Sequence, residues 1–140
     1  MRRWRKNQGG DRLENRKEIT LDQVIQKADG LVPNSFSRED KVGWLSAFDG
    51  QICREILSVH EGWDEAFRPY DPREGSRSLL VPEPYGMELY VAFLENTMDH
   101  YNGDTARYNN SLDRLAGLYN SFFRAYHRDH LPLGRKRKFW

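Results

Sequence analysis

Six residues toward the C-terminal end of the chain, Tyr108, Leu112, Leu115, Tyr119, Phe122 and Tyr126, recur at steps of four and three. That alternation follows one face of an α-helix, so the stretch is expected to be helical and to lay that face against something. The run covers only about three heptads, too few for a free-standing coiled coil. A seam in an antiparallel helical hairpin fits better, and the partner is the segment just before it. There Tyr90, Leu94, Met98 and Tyr101 form one stripe, with Leu89 and Phe93 beside it. Asn102-Gly103 is a stop signal, Asp104 a new N-cap, and Pro132 an end. The spacing predicts helices over 85–101 and 104–127, with Tyr119 and Phe122 in the core.

The N-terminal half shows two more helices. Thr20-Leu21-Asp22-Gln23 fits a capping box, with the Gln three residues after the Thr. Leu21, Val24, Ile25 and Ala28 line one side of the helix it opens. Gly30 is its predicted stop, and Pro33 follows. Ser37 caps a longer helix over 37–60, with Glu39 and Asp40 in the first turn, where the helix dipole favours negative charge. Leu45, Phe48, Ile52, Ile56 and Val59 mark its apolar face, widened by Trp44 and Cys53, and Gly62 closes it. Between 62 and 84, Pro69, Pro72, Pro82 and Pro84 with Gly62 and Gly75 forbid a long helix. Ser78-Leu79-Leu80-Val81 reads as one short extended piece. A loop this long in a compact domain is uncommon and usually has a role. Trp63, Phe67 and Tyr70 argue that part of it packs, either on its own domain or on a neighbouring subunit, and they are candidate partner-binding residues. The expected fold class is all-α: a small helical bundle with a long C-terminal hairpin, one long loop with a short extended segment, and flexible basic termini.

Charge divides the chain in the same way. Residues 1–20 hold seven basic and three acidic groups, for +4, and residues 133–140 hold Arg135, Lys136, Arg137 and Lys138, also +4. The stretch 21–132 keeps 11 basic against 18 acidic groups, so −7, which returns the overall +1. The division is a basic arm over 1–18, a helical domain over 19–132 and a basic tail over 133–140. In the tail, Arg135 to Lys138 supply electrostatic steering, and Phe139 and Trp140 are the side chains that anchor such contacts. All six are candidate partner-binding residues. The same composition, with Arg2, Arg3, Arg5, Lys6 and Trp4 at the other end, supports an alternative, a small accessory protein that binds nucleic acid through its termini. Against it, the body is acidic and no helix presents a basic face.

At 140 residues, 38% of them hydrophobic, the chain is one domain with enough apolar material for a core. No apolar run approaches the ~20 residues that span a bilayer, and the basic start leads into Asn7-Gln8-Gly9-Gly10 rather than into a signal-peptide core. A product that stays where it is made, with no membrane, is therefore expected. One cysteine, Cys53, excludes an internal disulfide and a multi-cysteine zinc site.

A catalytic set is hard to assemble. His127 and His130, three apart on a helix, could share a metal, but no third ligand is indicated, and His near a helix C-terminus also complements the dipole. Asp99-His100 is equally bare, and His60 stands alone. There is no phosphate loop and no Gly-x-Ser-x-Gly elbow. Asn109-Asn110-Ser111 matches a glycosylation sequon that lacks a secretory signal. The aromatic stripe from Tyr108 to Tyr126, with Phe123, reads as core rather than as a base-stacking platform. The expectation is no enzyme, no cofactor and no metal.

Three stretches together resemble a known family. They are Ile19-Thr20-Leu21 with Pro33-Asn34-Ser35-Phe36-Ser37, Lys41, Trp44 and Leu45; then Leu79-Leu80-Val81-Pro82-Glu83-Pro84-Tyr85 with Leu89-Tyr90; then Tyr101-Asn102, Tyr108-Asn109-Asn110-Ser111 and Tyr126-His127-Arg128-Asp129-His130-Leu131-Pro132. In order and spacing they look like the head–tail connector (adaptor) proteins of long-tailed bacteriophages and prophages, over about residues 19–134. The resemblance implies a structural virion protein at the neck, made in the bacterial cytoplasm. It implies a ring of copies, usually a dodecamer, attached beneath the portal after packaging. Such a ring extends the DNA channel, lets DNA pass without specific binding, and joins the head to a stopper or tail-completion protein. No catalytic residue carries over.

Overall fold

The computed structural model describes residues 17–133. Among these residues there are four α-helices: α1 (Leu21–Leu31), α2 (Arg38–Ile52), α3 (Gly86–Asn102) and α4 (Thr105–Asp129). The all-α architecture with a long C-terminal helix pair agrees with the hydrophobic spacing. The basic arm and tail expected at the two ends fall almost wholly outside the described residues, as do Arg135, Lys136, Arg137, Lys138, Phe139 and Trp140.

Capping sets most helix boundaries. Thr20 Oγ1 accepts from Gln23 N, and Gln23 Oε1 accepts from Thr20 N at 2.9 Å, so the predicted capping box is complete. Gly30 lies inside the last turn of α1 instead of beyond it. The helix ends where Val32 turns extended, the conformation favoured by the residue before a proline. Ser37 Oγ accepts from Asp40 N to open α2. Asp104 accepts from Arg107 N to open α4, and Gly103 takes the left-handed φ of +72° that ends α3.

The second helix ends differently from its prediction. A helix through residue 60 closed by Gly62 was expected. Instead α2 passes into a π-helical turn, Cys53–Leu57, and Ser58 N donates to Cys53 O across five residues. The chain then leaves the helix, and Gly62, at φ +98°, turns it into the long connection. That turn came without a sequence signal, because a π turn depends on how the wider ring packs.

The connection to α3 is held against the domain. Ser78 bridges Thr20 in antiparallel fashion, flanked by Leu21 N to Arg77 O at 3.0 Å and Leu79 N to Ile19 O at 2.9 Å. This is the short extended segment expected at 78–81. Leu79, Leu80 and Val81 are buried among residues of α1, α2 and α3. Gly86 opens α3 against the Val81 carbonyl, where any Cβ would collide with that oxygen, so the close approach needs glycine.

In the hairpin, α3 is the central helix and α4 the outer one. Leu89, Tyr90, Val91, Ala92, Leu94 and Met98 of α3 are all buried. Among the 25 residues of α4, Ser111, Phe122, Ala125 and Tyr126 are the buried ones. A polar rivet joins the helices at their loop end. Asn96 Nδ2 donates to Tyr108 O and to Ser111 Oγ, and Ser111 Oγ donates to Asp99 Oδ2 at 2.9 Å. Phe122 is a core residue as expected. Tyr119 is half-buried and Leu112 is 39% exposed, so the seam is covered only in its C-terminal half.

Candidate interaction surfaces

The long connection is organised by Asp49, which is fully buried on α2. Its carboxylate accepts from Tyr70 Oη and from Leu80 N on one oxygen, and from Tyr90 Oη at 2.6 Å on the other. Tyr90 Oη in turn accepts from Val81 N at 2.8 Å. Burial and the nearby carboxylate push the Tyr90 phenol well above its usual range. One acid thus ties two points of the loop and the central helix to α2. The sequence carries a signal for it: Asp49 sits between Leu45, Phe48 and Ile52 on an otherwise apolar face, where a charge requires buried partners.

Two arginines secure the outer part of the loop. Arg38 donates to Pro72 O and pairs with Asp22 on α1 at 2.6 Å. Arg77 donates to Arg68 O and Pro69 O, and its guanidinium lies 4.5 Å from the centre of the Tyr70 ring. The loop aromatics proposed for partner contact therefore pack largely within their own domain. Tyr70 is buried. Trp63 is 9% exposed, and its indole N–H is enclosed without a hydrogen-bond partner, in the neighbourhood of the Cys53 thiol. Burial pushes that thiol's pKa up. Phe67 is half-buried and, with Trp63, Ala66, Leu80 and Arg77, lines a cavity of about 400 Å³ that opens to solvent.

The junction where the chain leaves α4 is built on histidine. Val59–Glu61 pairs with Leu131–Leu133 through Glu61 N to Leu131 O and Leu133 N to Val59 O, both 2.8 Å, with His60 opposite Pro132. Buried His60 puts Nδ1 2.6 Å from Ile56 O and Nε2 2.9 Å from His127 Nδ1. A carbonyl can only accept, so Nδ1 of His60 carries the proton and its Nε2 accepts from His127. Protonated His60 would donate from Nε2 as well, which requires His127 to carry its proton on Nε2 and accept through Nδ1. Burial holds its pKa below the usual histidine value, the Ile56 carbonyl works against that, and His127 and His130 add to it. His130 stacks on the Tyr126 ring, with Nδ1 3.0 Å from Tyr126 O. His60, His127 and His130 thus converge where sequence spacing paired only the last two. Among the described residues no group of three or more His, Cys, Asp or Glu is arranged to hold a metal ion.

Among the described residues, two apolar surfaces are left uncovered. At one end Phe36, Trp44 and Tyr101 form an aromatic cluster, with Trp44 stacked on Tyr101 at 5.4 Å between ring centres and Tyr101 61% exposed. Along the hairpin, Phe48, Phe93, Leu112, Leu115 and Tyr119 line a groove of about 260 Å³, with Gln51 and Asn120 at its edge. Tyr119 Oη donates to Glu55 at 2.6 Å, and this bond with that from Gln51 keeps the Glu55 carboxyl below its ordinary range. The Tyr119 phenol is raised, by partial burial first and by Glu55 second.

No helix of the described residues is long and apolar enough to cross a membrane. Comparison with protein-family models, with curated proteins and with solved structures finds no match to this chain.

Proposed function

We propose that this chain is a structural ring subunit of a phage neck, a head–tail connector that attaches beneath the portal, extends the DNA channel and receives the stopper or tail-completion protein. The observation that carries the proposal is where the family-like residues fall. Pro82-Glu83-Pro84-Tyr85 leads the buried 79–81 segment into α3 beside the Gly86 contact. Tyr108-Asn109-Asn110-Ser111 includes the rivet that joins the hairpin. Tyr126 to Pro132 form the histidine junction. Each stretch serves a particular joint of one helical framework. Joints of that kind suit a subunit that must keep its shape in a ring.

The contacts to neighbouring copies, portal and neck are proposed for the open Phe36–Trp44–Tyr101 cluster, for the loop rim around Phe67, and for the tail Arg135–Trp140. The acidic balance of residues 21–132 supports a wall that DNA slides past, since phosphate binding draws on basic contacts that such a body lacks. The basic ends favour the second reading, a DNA-binding accessory protein.

Electron microscopy of the pure protein with and without portal tests the first reading, with rings or portal-bound collars expected. A chain trimmed to residues 19–134 is expected to bind duplex DNA poorly at physiological salt. Absence of any ring or collar, together with micromolar DNA binding that weakens steeply with salt, would overturn the connector assignment in favour of the accessory protein.

A further inference from the structure

We infer that the His60–His127 pair is a proton-operated latch: it keeps Val59–Glu61 joined to Leu131–Leu133 with no added proton or with one, and a second added proton parts the two strips. The geometry at the pair carries this. The rings meet nitrogen to nitrogen at 2.9 Å, and their centres lie 5.1 Å apart. That is close to the separation of two imidazoles joined in a straight line, so each nitrogen faces the other and not a shared third point. What fits between them is one hydrogen. The other nitrogen of His60 is tied to the Ile56 carbonyl at 2.6 Å, which fixes the direction of the ring.

The three protonation levels differ in what they can bond. The neutral pair uses the Nδ1 hydrogen of His127. With one added proton either ring can be the cation. Charged His127 still donates from Nδ1, and charged His60 donates from Nε2 when His127 keeps its hydrogen on Nε2. Both forms retain the bond and make it charge-assisted, which strengthens it. With two added protons each ring turns an N–H toward the other and no acceptor remains. Two like charges then stand at hydrogen-bond distance beside a ring that is 1% exposed. Opening takes up that second proton, so acid favours it.

The surroundings supply no countercharge in the contacts that His60 makes. Those contacts are the Ile56 carbonyl of the π turn, and Phe123, Tyr126, His127 and His130 of α4. The opposite strip brings Pro132. The charged residues adjacent in sequence are Glu61, which is exposed, and Arg128 and Asp129 on the last turn of α4. The strips themselves are the weaker structure. They are joined by Glu61 N to Leu131 O and Leu133 N to Val59 O, while the side chains of Val59, Leu131 and Leu133 are exposed and bury little apolar surface. The hairpin beneath is held by the buried residues of α3 and by Phe122. Repulsion at the pair is therefore relieved by local opening of the strips. The latch belongs to the single subunit and does not depend on the ring assignment.

The test is amide hydrogen exchange of the full chain by NMR at pH 7.5 and pH 5, expressed as protection factors so that the intrinsic pH dependence cancels. The Glu61 and Leu133 amides should lose at least tenfold in protection at the acid pH. That loss should be insensitive to urea well below the unfolding midpoint, the mark of a local opening. Unchanged protection, or a loss that appears only through urea-sensitive global unfolding, overturns the proposal. His127→Gln sets an amide oxygen opposite a charged His60, so the acid loss should shrink at least threefold in this variant, and a loss equal to the parent's would also overturn it. In protein labelled with 15N at histidine, a nitrogen–nitrogen coupling across the His60–His127 bond should be present at pH 7.5 and disappear together with the protection. Its absence at pH 7.5, or its survival after the strips have opened, counts against the latch.

Discussion

The two halves of α4 share one sequence pattern and have different fates. From Phe122 onward the seam is sealed: Phe122, Ala125 and Tyr126 are buried, and Phe122 sits 6.0 Å from the Tyr85 ring and 5.9 Å from Tyr126. From Leu112 to Tyr119 the same spacing lines an open groove. Periodicity reports which residues share a face, but what covers that face is decided by other elements. Here the π turn and the segment after it close over the C-terminal half, and nothing among the described residues closes over the other.

The largest contrast should come from deleting side chains on the sealed side. Phe122→Ala is expected to cost about 3–5 kcal/mol, the usual loss for a buried Phe, read from urea unfolding. An unchanged midpoint would place the sealed half on the surface and erase the distinction.

The histidine junction gives the next effect, and it is specific to the sealed half. His60 has a folded pKa lowered from its usual value, so the unfolded chain takes up the proton first. Its contribution is fully present above the unfolded value of about 6.5 and is lost as pH falls from there toward the folded pKa. The groups facing it are His127, His130, Tyr126 and the Ile56 carbonyl. Unfolding curves at pH 7.5 and 5.5 should show lower stability at the acid pH, and His60→Gln should shrink that difference. A difference of the same size in the variant would exclude the junction as its source.

On the open side the effects should be small. Tyr119→Phe removes a hydrogen bond to an exposed carboxylate and is expected to cost at most about 1 kcal/mol, measured in the same unfolding series. Leu112→Ser should stay within about 0.5 kcal/mol of the parent, as surface changes do. A loss above 2 kcal/mol for either would mean that this half of the seam is covered in the folded subunit and would erase the contrast with the sealed half.

The helices were legible because their signals are local. The Thr20 and Ser37 caps, the Gly103 stop and the 4–3 spacing each act within a few residues. What escaped is non-local. His60 looked solitary because its partner is 67 positions away. Asp49 reads as an ordinary helical acid until the loop it anchors is in place, although its position on an apolar face was a clue. Trp63 and Tyr70 were open to either packing option, and chain folding alone brings Tyr70 to Asp49 and Trp63 to Cys53. The exposure of Leu112 was equally hidden, since seam spacing is the same with or without a covering element.

The π turn at Cys53–Leu57 acts as a phase adjuster between α2 and the strip that follows it. One residue more or fewer on an ideal helix rotates everything downstream by about 100°. A π turn takes up one residue more than an α turn without passing that rotation on, so Val59–Glu61 meets Leu131–Leu133 with the extra residue absorbed. The number of residues between Ile52 and Val59 is thus a geometric setting, and the π turn is what keeps Val59–Glu61 facing Leu131–Leu133 at that count.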